Sequence, residues 1–281
     1  MIVAFQGVHG AYSEAAARNL FGRSTHAVPM ETFDGVFRAV QQGDADRGIV
    51  PIENSLAGSI HQNYDLLLSH RLKIVAETHL RIEHVLMAHP SASLRTLQSV
   101  RSHPQALAQC SRFLARHPRW KVVPYFDTAG AAQSIIDGGD TRSGAIASEF
   151  AARLYKLNVL KRNIENLRDN FTRFLVIGRK PCRLQRGVPT KCSVAFRPAR
   201  NQVGILFRLL GVFALRDIDL LKIESRPDPH SPFQYLFYVD FAGSPLEQRV
   251  RRALEHLQEM TAEFRLLGAY PDDRSIRKRR R

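Results

Sequence analysis

The sequence predicts an α/β protein of two lobes with a cleft between them, followed by a smaller ferredoxin-like β-α-β-β-α-β domain. Three observations predict it. Residues 1 to about 178 alternate short apolar runs with helix-like segments, which favours largely parallel sheets. Residues 180–190 form a linker with two prolines, a glycine and several charges. Beyond it the order of elements changes to the ferredoxin-like one over roughly 80 residues, too few to be stable without a partner surface.

The elements follow in chain order. Residues 2–6 are an apolar run ending in Gly7, and 13–21 are Ala-rich with helical spacing. Residues 48–52 form a second strand, ending in Glu53-Asn54-Ser55. Residues 73–88 are a long β-rich stretch broken by charges, suited to carrying the chain from one sheet to another. A strand at 97–100 leads through Arg101-Ser102-His103-Pro104 into a helix from 105 to about 116. Strands at 121–126 and 144–147 are followed by helices at 128–136 and 149–155. In the second part, strands are expected at 192–197, 220–225, 234–241 and 264–269. Helices are expected at 204–215 and 246–260.

Composition is ordinary for a soluble globular chain, with 44% hydrophobic and 24% charged residues. No apolar run reaches the ~18 residues of a membrane span. The N-terminus lacks the basic and long apolar regions of a signal peptide, so a cytoplasmic protein is expected. Cys110, Cys182 and Cys192 are an odd number without metal-like spacing and read as reduced thiols, so neither a disulfide framework nor a zinc site is expected; no metal or organic cofactor is indicated elsewhere in the sequence. The net charge of +15 raises a nucleic-acid reading. Residues 272–281 supply +4 of it, as a basic tail expected to be disordered. The remaining basic groups are scattered and not interleaved with aromatics, so the charge suits small anionic substrates better than nucleic acid.

Five polar loops have one form, a strand end running into a helix start or a polar strand mouth, where α/β proteins often place ligand chemistry. Gly7-Val8-His9-Gly10 has glycines that admit close backbone approach, and Ser13 and Glu14 open the next helix. Glu53, Asn54, Ser55, Gly58 and Ser59 offer a carboxyl, an amide and hydroxyls to a polar ligand, with Glu53 the candidate proton donor if burial raises its pKa. Ser102 stands at a helix-cap position, and Gln109 shares a helix face with Gln105. Thr128 follows Asp127 at another helix start. In Asn170-Phe171-Thr172-Arg173-Phe174, successive strand residues face opposite ways, so one of the two polar residues meets a cleft. Thr172 is the choice. Arg173 pairs with a structural carboxylate or reaches in from an irregular strand start.

Taken together in order, these loops resemble prephenate dehydratase from residue 1 to about 270. The matching pieces are residues 7–14, Val50-Pro51-Ile52-Glu53-Asn54-Ser55 with Gly58-Ser59, Ser102-His103-Pro104-Gln105 with Gln109-Cys110, and the Thr172-Arg173-Phe174 motif. The second domain resembles an ACT domain of the phenylalanine-binding kind, with Gly204-Ile205-Leu206 for its Gly-Ala-Leu and Glu224-Ser225-Arg226-Pro227 for its second motif. The resemblance implies a periplasmic-binding-protein-like catalytic domain over 1–179 and an ACT domain over 190–271. It implies conversion of prephenate to phenylpyruvate, water and CO2, without a cofactor. Thr172 would be tied most closely to catalysis, with Glu53 and Arg173 as further candidates; Asn54, Ser55, Ser102, Gln109 and Thr128 would line the site. L-phenylalanine would bind between paired ACT domains at 204–206 and 224–227 as a feedback inhibitor, in a homodimer or homotetramer. The chain starts at the dehydratase strand, so a single activity without chorismate mutase is expected.

Two departures from the family pattern stand out. Asn166 replaces an Asp ahead of the Thr-Arg-Phe motif, and Ile205 replaces a small Ala. Two other readings compete. Arogenate, with an amino group in place of the keto oxygen, is an alternative substrate. A non-enzymatic ligand-sensing module is the alternative class.

Overall fold

The computed structural model describes residues 1–200, 202–228 and 234–273. The first lobe runs β1 (Ile2–Gln6), α1 (Tyr12–Phe21), β2 (His26–Met30), α2 (Phe33–Gln42), β3 (Arg47–Asn54), β4 (Gly58–Ser59), α3 (His61–Ser69) and β5 (Lys73–Arg81). The second lobe has β6 (Val85–Ala88), β7 (Ser99–Ser102), α4 (Pro104–Gln109), α5 (Ser111–Leu114), β8 (Lys121–Pro124), α6 (Thr128–Asp137), β9 (Ser143–Ala147), α7 (Glu149–Leu154) and β10 (Asn158–Lys161). The chain then returns to the first lobe as β11 (Phe171–Gly178). The second lobe's sheet has the order β10-β6-β9-β7-β8. The expected change of sheet within 73–88 is therefore real, and it falls between β5 and β6.

Two segments cross between the lobes, one before β6 and one before β11. They are bonded to each other: Ile82 N–H donates to the Asn170 carbonyl at 2.8 Å, and Ile164 N–H to the His84 carbonyl at 3.2 Å. The second lobe also clasps the loop after β1. The Ser148 hydroxyl donates to the Gly10 carbonyl at 3.1 Å and the Tyr155 hydroxyl to the His9 carbonyl at 2.6 Å.

Local chemistry explains why these segments adopt these forms. In α2, Thr32 caps the start by accepting from Gly35 N–H at 3.0 Å, and Gly43 ends it in the left-handed conformation. In the strands of the first lobe, Val3, Phe5, Ile49 and Val176 are fully buried, with Phe174 at their side. Burying each such side chain stabilises by about 1.5–3 kcal/mol.

The last domain runs β12 (Thr190–Pro198), α8 (Ile205–Ala214), β13 (Leu220–Pro227), β14 (Tyr235–Ala242), α9 (Gln248–Glu259) and β15 (Thr261–Pro271). Its order β13-β14-β12-β15, antiparallel throughout, is the ferredoxin-like arrangement. Val250, Ala253 and Leu257 of α9 recur at helical spacing and meet Leu209, Val212 and Phe213 of α8 in one core. This sheet joins that of the first lobe. β15 pairs in parallel with β5 through Gly268 and Ile74, giving one ten-stranded sheet across both domains. A Cβ on residue 268 would stand 2.2 Å from the Ile74 carbonyl oxygen, so only glycine permits the seam.

The tail expected from residue 272 begins with two residues that are anchored. Asp272 N–H donates to the Pro189 carbonyl at 3.0 Å, and the Asp273 carboxylate meets His79 Nδ1 at 2.9 Å. Residues 274–281, on which the rest of that expectation falls, lie outside the described residues.

Candidate active site

Between the lobes lies a hollow of about 440 Å³. Four helices begin at its wall: α1 with Tyr12 and Ser13, α3 after Ile60, α4 at His103, and α6 with Thr128. Helix starts present unpaired N–H groups and the positive end of the dipole, which suit a carboxylate. Among the described residues, no lysine or arginine lines this hollow. A larger hollow of about 770 Å³ lies on the other side of Tyr12. Its charged groups are largely neutralised already, Arg18 by Glu14, Arg81 by Glu83 and Arg162 by Glu149. The smaller hollow is the better candidate because polar groups converge on it with hydrogen-bonding capacity to spare.

Thr172 is buried at the head of β11, opposite Asn54 of β3, and both line the hollow. Asn54 Oδ1 accepts from the backbone N–H groups of Leu56 and Ala57, each at 3.0 Å. That fixes which end of the amide points inward. Its Nδ2 donates to Asn170 Oδ1 at 2.7 Å and to Thr172 Oγ1 at 3.0 Å. Asn170 Nδ2 donates in turn to Gln109 Oε1 at 3.2 Å. His84 Nε2 lies 2.9 Å from the same oxygen, and His84 Nδ1 lies 2.9 Å from the Tyr12 hydroxyl. A single chain of hydrogen bonds thus runs Thr172–Asn54–Asn170–Gln109–His84–Tyr12 along the wall. Its polarity is set at the Asn54 end. Because Thr172 Oγ1 accepts from Asn54, its own hydrogen is free to point at a bound molecule.

The surroundings hold these groups in defined states. Burial pushes the Tyr12 phenol well above its usual range and the Cys110 thiol up to about 12, and the nearby Glu165 carboxylate adds to both. Burial also lowers the His84 pKa, outweighing the opposite pull of Gln109 and Glu165.

Of the residues singled out in the sequence, Asn54, Gln109, Thr128 and Thr172 are brought together on the hollow. Others are placed elsewhere. Glu53 neighbours Asn54 on a strand and faces the opposite way, with its carboxylate 3.0 Å from Lys222 Nζ in the last domain. It is no proton donor to the hollow. Arg173 likewise turns from Thr172 into a buried network: Nε donates to Glu77 at 2.7 Å, Nη1 to Asp240 at 2.6 Å and Nη2 to the Tyr270 hydroxyl at 3.1 Å. Lys191 joins at 2.6 Å from Glu77. In this network burial pushes the Asp240 carboxyl up, but the Arg173 charge and the Ser193 hydroxyl outweigh it and hold it below its usual range. Arg173 is thus placed as a tie between domains and does not line the hollow.

Ser102 is fully buried and donates to the Ile146 carbonyl at 2.5 Å; it lies off the hollow, and the α4 cap is His103, whose Nδ1 accepts from Gln105 N–H at 3.2 Å. Ser55 also lies off the hollow, pinned between Asp169 and Phe171. Asn166 holds the α4–α5 joint: Oδ1 accepts from Arg112 N–H at 3.0 Å, and Nδ2 donates to the Ala108 carbonyl and the Ser111 hydroxyl. This position braces the end of the helix that carries Gln109. Sequence reasoning missed Tyr12, Asn170 as a link in the chain, and His84.

In β13, Glu224 and Arg226 face the first lobe. Glu224 meets the Ser59 hydroxyl at 2.5 Å and His61 at 3.1 Å, and Arg226 meets Asp65 at 2.8 Å. Ser225 and Pro227, on the alternate face, are exposed. Gly204, also exposed, opens α8 in the left-handed conformation, and Ile205 and Leu206 are partly buried.

Fold and site together define a two-lobed α/β protein with a small-molecule cleft at the lobe junction. Residues 3–182 match the model of the prephenate dehydratase family. Arogenate dehydratase 2 of Petunia hybrida is 47% identical, over 98% of this chain and 72% of its own length. The structure of prephenate dehydratase from Arthrobacter aurescens in complex with L-Phe superposes with a TM-score of 0.90 at 29% identity, covering 98% of this chain and 91% of that one. The structure of GqqA, described as a quorum quenching acylase, gives 0.89 at 34% identity, covering 96% and 98%. The chain belongs to the prephenate dehydratase family, and it is a dehydratase of phenylalanine synthesis.

Proposed function

We propose that the chain converts prephenate to phenylpyruvate with loss of CO2 and water, and that its ferredoxin-like part is an ACT domain through which L-phenylalanine inhibits it. The observation that carries the enzymatic half is the Thr172 hydroxyl, whose oxygen is occupied by Asn54 and whose hydrogen is free over the hollow. Prephenate brings two carboxylates and a ring hydroxyl. Helix starts hold the carboxylates, and Thr172 donates a hydrogen bond to the departing hydroxyl. Loss of CO2 supplies the electron pair that expels it as hydroxide, which takes a proton from solvent to become water, and the ring becomes aromatic. A threonine hydroxyl is a weak acid, so its contribution is positioning and electrostatic stabilisation of the leaving oxygen. Thr172→Val should lower kcat at least ~10²-fold with KM within a few-fold, and Thr172→Ser should retain most of the rate. Near-normal turnover by Thr172→Val, followed as phenylpyruvate absorbance, would refute the assignment.

Arogenate is the second reading, favoured by the absence of fixed cations around the hollow among the described residues and by the name of a 47% identical relative. Its ammonium reduces the net negative charge to be accommodated. Comparing kcat/KM on the two substrates decides between them.

For regulation, phenylalanine at 204–206 and 224–227 has a short route to the cleft. The residues of β13 that alternate with Ser225 and Pro227 hold Ser59, which lines the hollow, and Glu53 beside Asn54. Exposed Val203, Phe207 and Leu215, at 99%, 82% and 86% of their full surface, support self-association of this domain into a homodimer or homotetramer.

A further inference from the structure

A dicarboxylate entering the hollow meets no lysine or arginine among the described residues, only helix starts, amides, hydroxyls and two imidazoles, His84 and His103. His103 is committed to capping α4 through Nδ1. His84 is different. The polarity imposed from Asn54 makes Gln109 Oε1 an acceptor, so His84 Nε2 carries a hydrogen. At Nδ1 the hydrogen-bond count does not close for a neutral ring. The Tyr12 hydroxyl has one hydrogen but lies 2.7 Å from the Glu83 carbonyl and 2.9 Å from His84 Nδ1, both acceptors when the ring is neutral. With a hydrogen on Nδ1, that N–H donates to the tyrosine oxygen and the tyrosine donates to Glu83. Every partner is then satisfied.

We propose that His84 binds one proton on Nδ1 as a dicarboxylate substrate enters, and so supplies the full positive charge that no lysine or arginine among the described residues brings to the hollow. The proton comes from solvent; Nε2–H stays on Gln109, and the Tyr12 hydrogen turns fully to the Glu83 carbonyl. The inference rests on the dehydratase reading of this hollow. The groups around the ring fit it. Tyr12 faces it from α1, Gln109 from the end of α4 and Glu165 from the returning segment, while Cys110 and Glu83 stand on the far side of Tyr12. Glu165 Oε2 accepts from the His84 backbone N–H at 3.2 Å, and its buried Oε1 has no hydrogen-bond partner. A buried carboxylate with an unused oxygen beside the ring favours an imidazolium. Burial opposes that charge. A substrate carboxylate arriving within roughly 4–6 Å tips the balance.

The test uses the full-length Thr172→Ala chain, in which substrate persists. Prephenate is titrated calorimetrically near pH 7.5 in buffers of different ionisation enthalpy, and histidine ¹⁵N spectra are recorded with and without it. The expected result is uptake of up to one proton per site, with one imidazole passing from the neutral Nε2–H form to the imidazolium. Adding His84→Asn should abolish the uptake and the moving resonance; adding His103→Asn should leave both. Binding without proton uptake, or uptake that survives His84→Asn, overturns the proposal while the dehydratase reading stands. The spectra of the single variant decide the matter even if His84→Asn does not fold. Failure to bind prephenate or arogenate at all overturns the dehydratase reading and this proposal with it.

Discussion

Replacing Arg173 by Met tests whether the residue beside Thr172 is a tie between domains. The guanidinium is 9% exposed and contacts Glu77, whose side chain is fully buried, Asp240 and Tyr270. Methionine fills similar space, so the loss is chiefly electrostatic. Glu77 keeps Lys191 at 2.6 Å, whereas Asp240 loses its ion pair with Arg173 and keeps the Ser193 hydroxyl at 2.6 Å and the weaker, longer-range pull of Lys191. Removing one partner of a buried pair costs about 3–5 kcal/mol. Because Lys191 still serves half of the network, about 3 kcal/mol is expected, a large fraction of a typical total. Chemical denaturation followed by circular dichroism measures it, and Asp240→Asn in the Arg173→Met background, which removes the orphaned charge, should recover on the order of 1–2 kcal/mol. A loss under about 1 kcal/mol, or a double variant no more stable than the single one, would refute the network argument and reopen a catalytic role for Arg173.

Three further outcomes follow from the geometry. Gly268→Ala drives a methyl into the Ile74 carbonyl, and should destabilise by about 1–3 kcal/mol and raise hydrogen exchange along β5 and β15. Ser102→Ala should cost about 1 kcal/mol in denaturation, from one buried hydrogen bond, and leave KM within about twofold. For Glu224, burial raises the carboxyl pKa, but Ser59, His61 and Lys222 outweigh it and hold it below 4.5. A depressed carboxyl pKa contributes stability that is fully present above 4.5 and lost as pH falls through the folded value. Acid should therefore loosen the docking of β13, seen as faster exchange around Ser59, and Glu224→Gln should lack that acid step.

Much of this was legible in the sequence because it depends on local rules. The alternation of strand faces put Thr172 in the cleft and turned Arg173 away, and the linker at 180–190 marked the change of domain. The same alternation separates Glu53 from Asn54, yet an acidic side chain beside an amide suggested a proton donor, and only the position of Lys222 shows where the carboxylate goes. Ser102 misled because a serine ahead of a proline is a helix-start pattern whether the cap is the serine or the next residue. Pro29 within β2 obscures that strand in the sequence, whereas the Thr32 cap of α2 is a helix-start sign carried by the sequence itself. His84 leaves no periodic trace, being a single residue between two strands of different sheets. Its partners come from α1 and α4, which are remote in sequence.

The two segments that cross between the lobes are bonded to each other, and they carry His84 on one and Asn170 on the other. Part of the hydrogen-bonded wall of the hollow therefore sits at the pivot of a pair of jaws. In any rotation of one lobe against the other, displacement grows with distance from the pivot. The rim sweeps widely while the alignment at the fulcrum barely changes. Such a protein can open its mouth to exchange small molecules without dismantling the apparatus that acts on them.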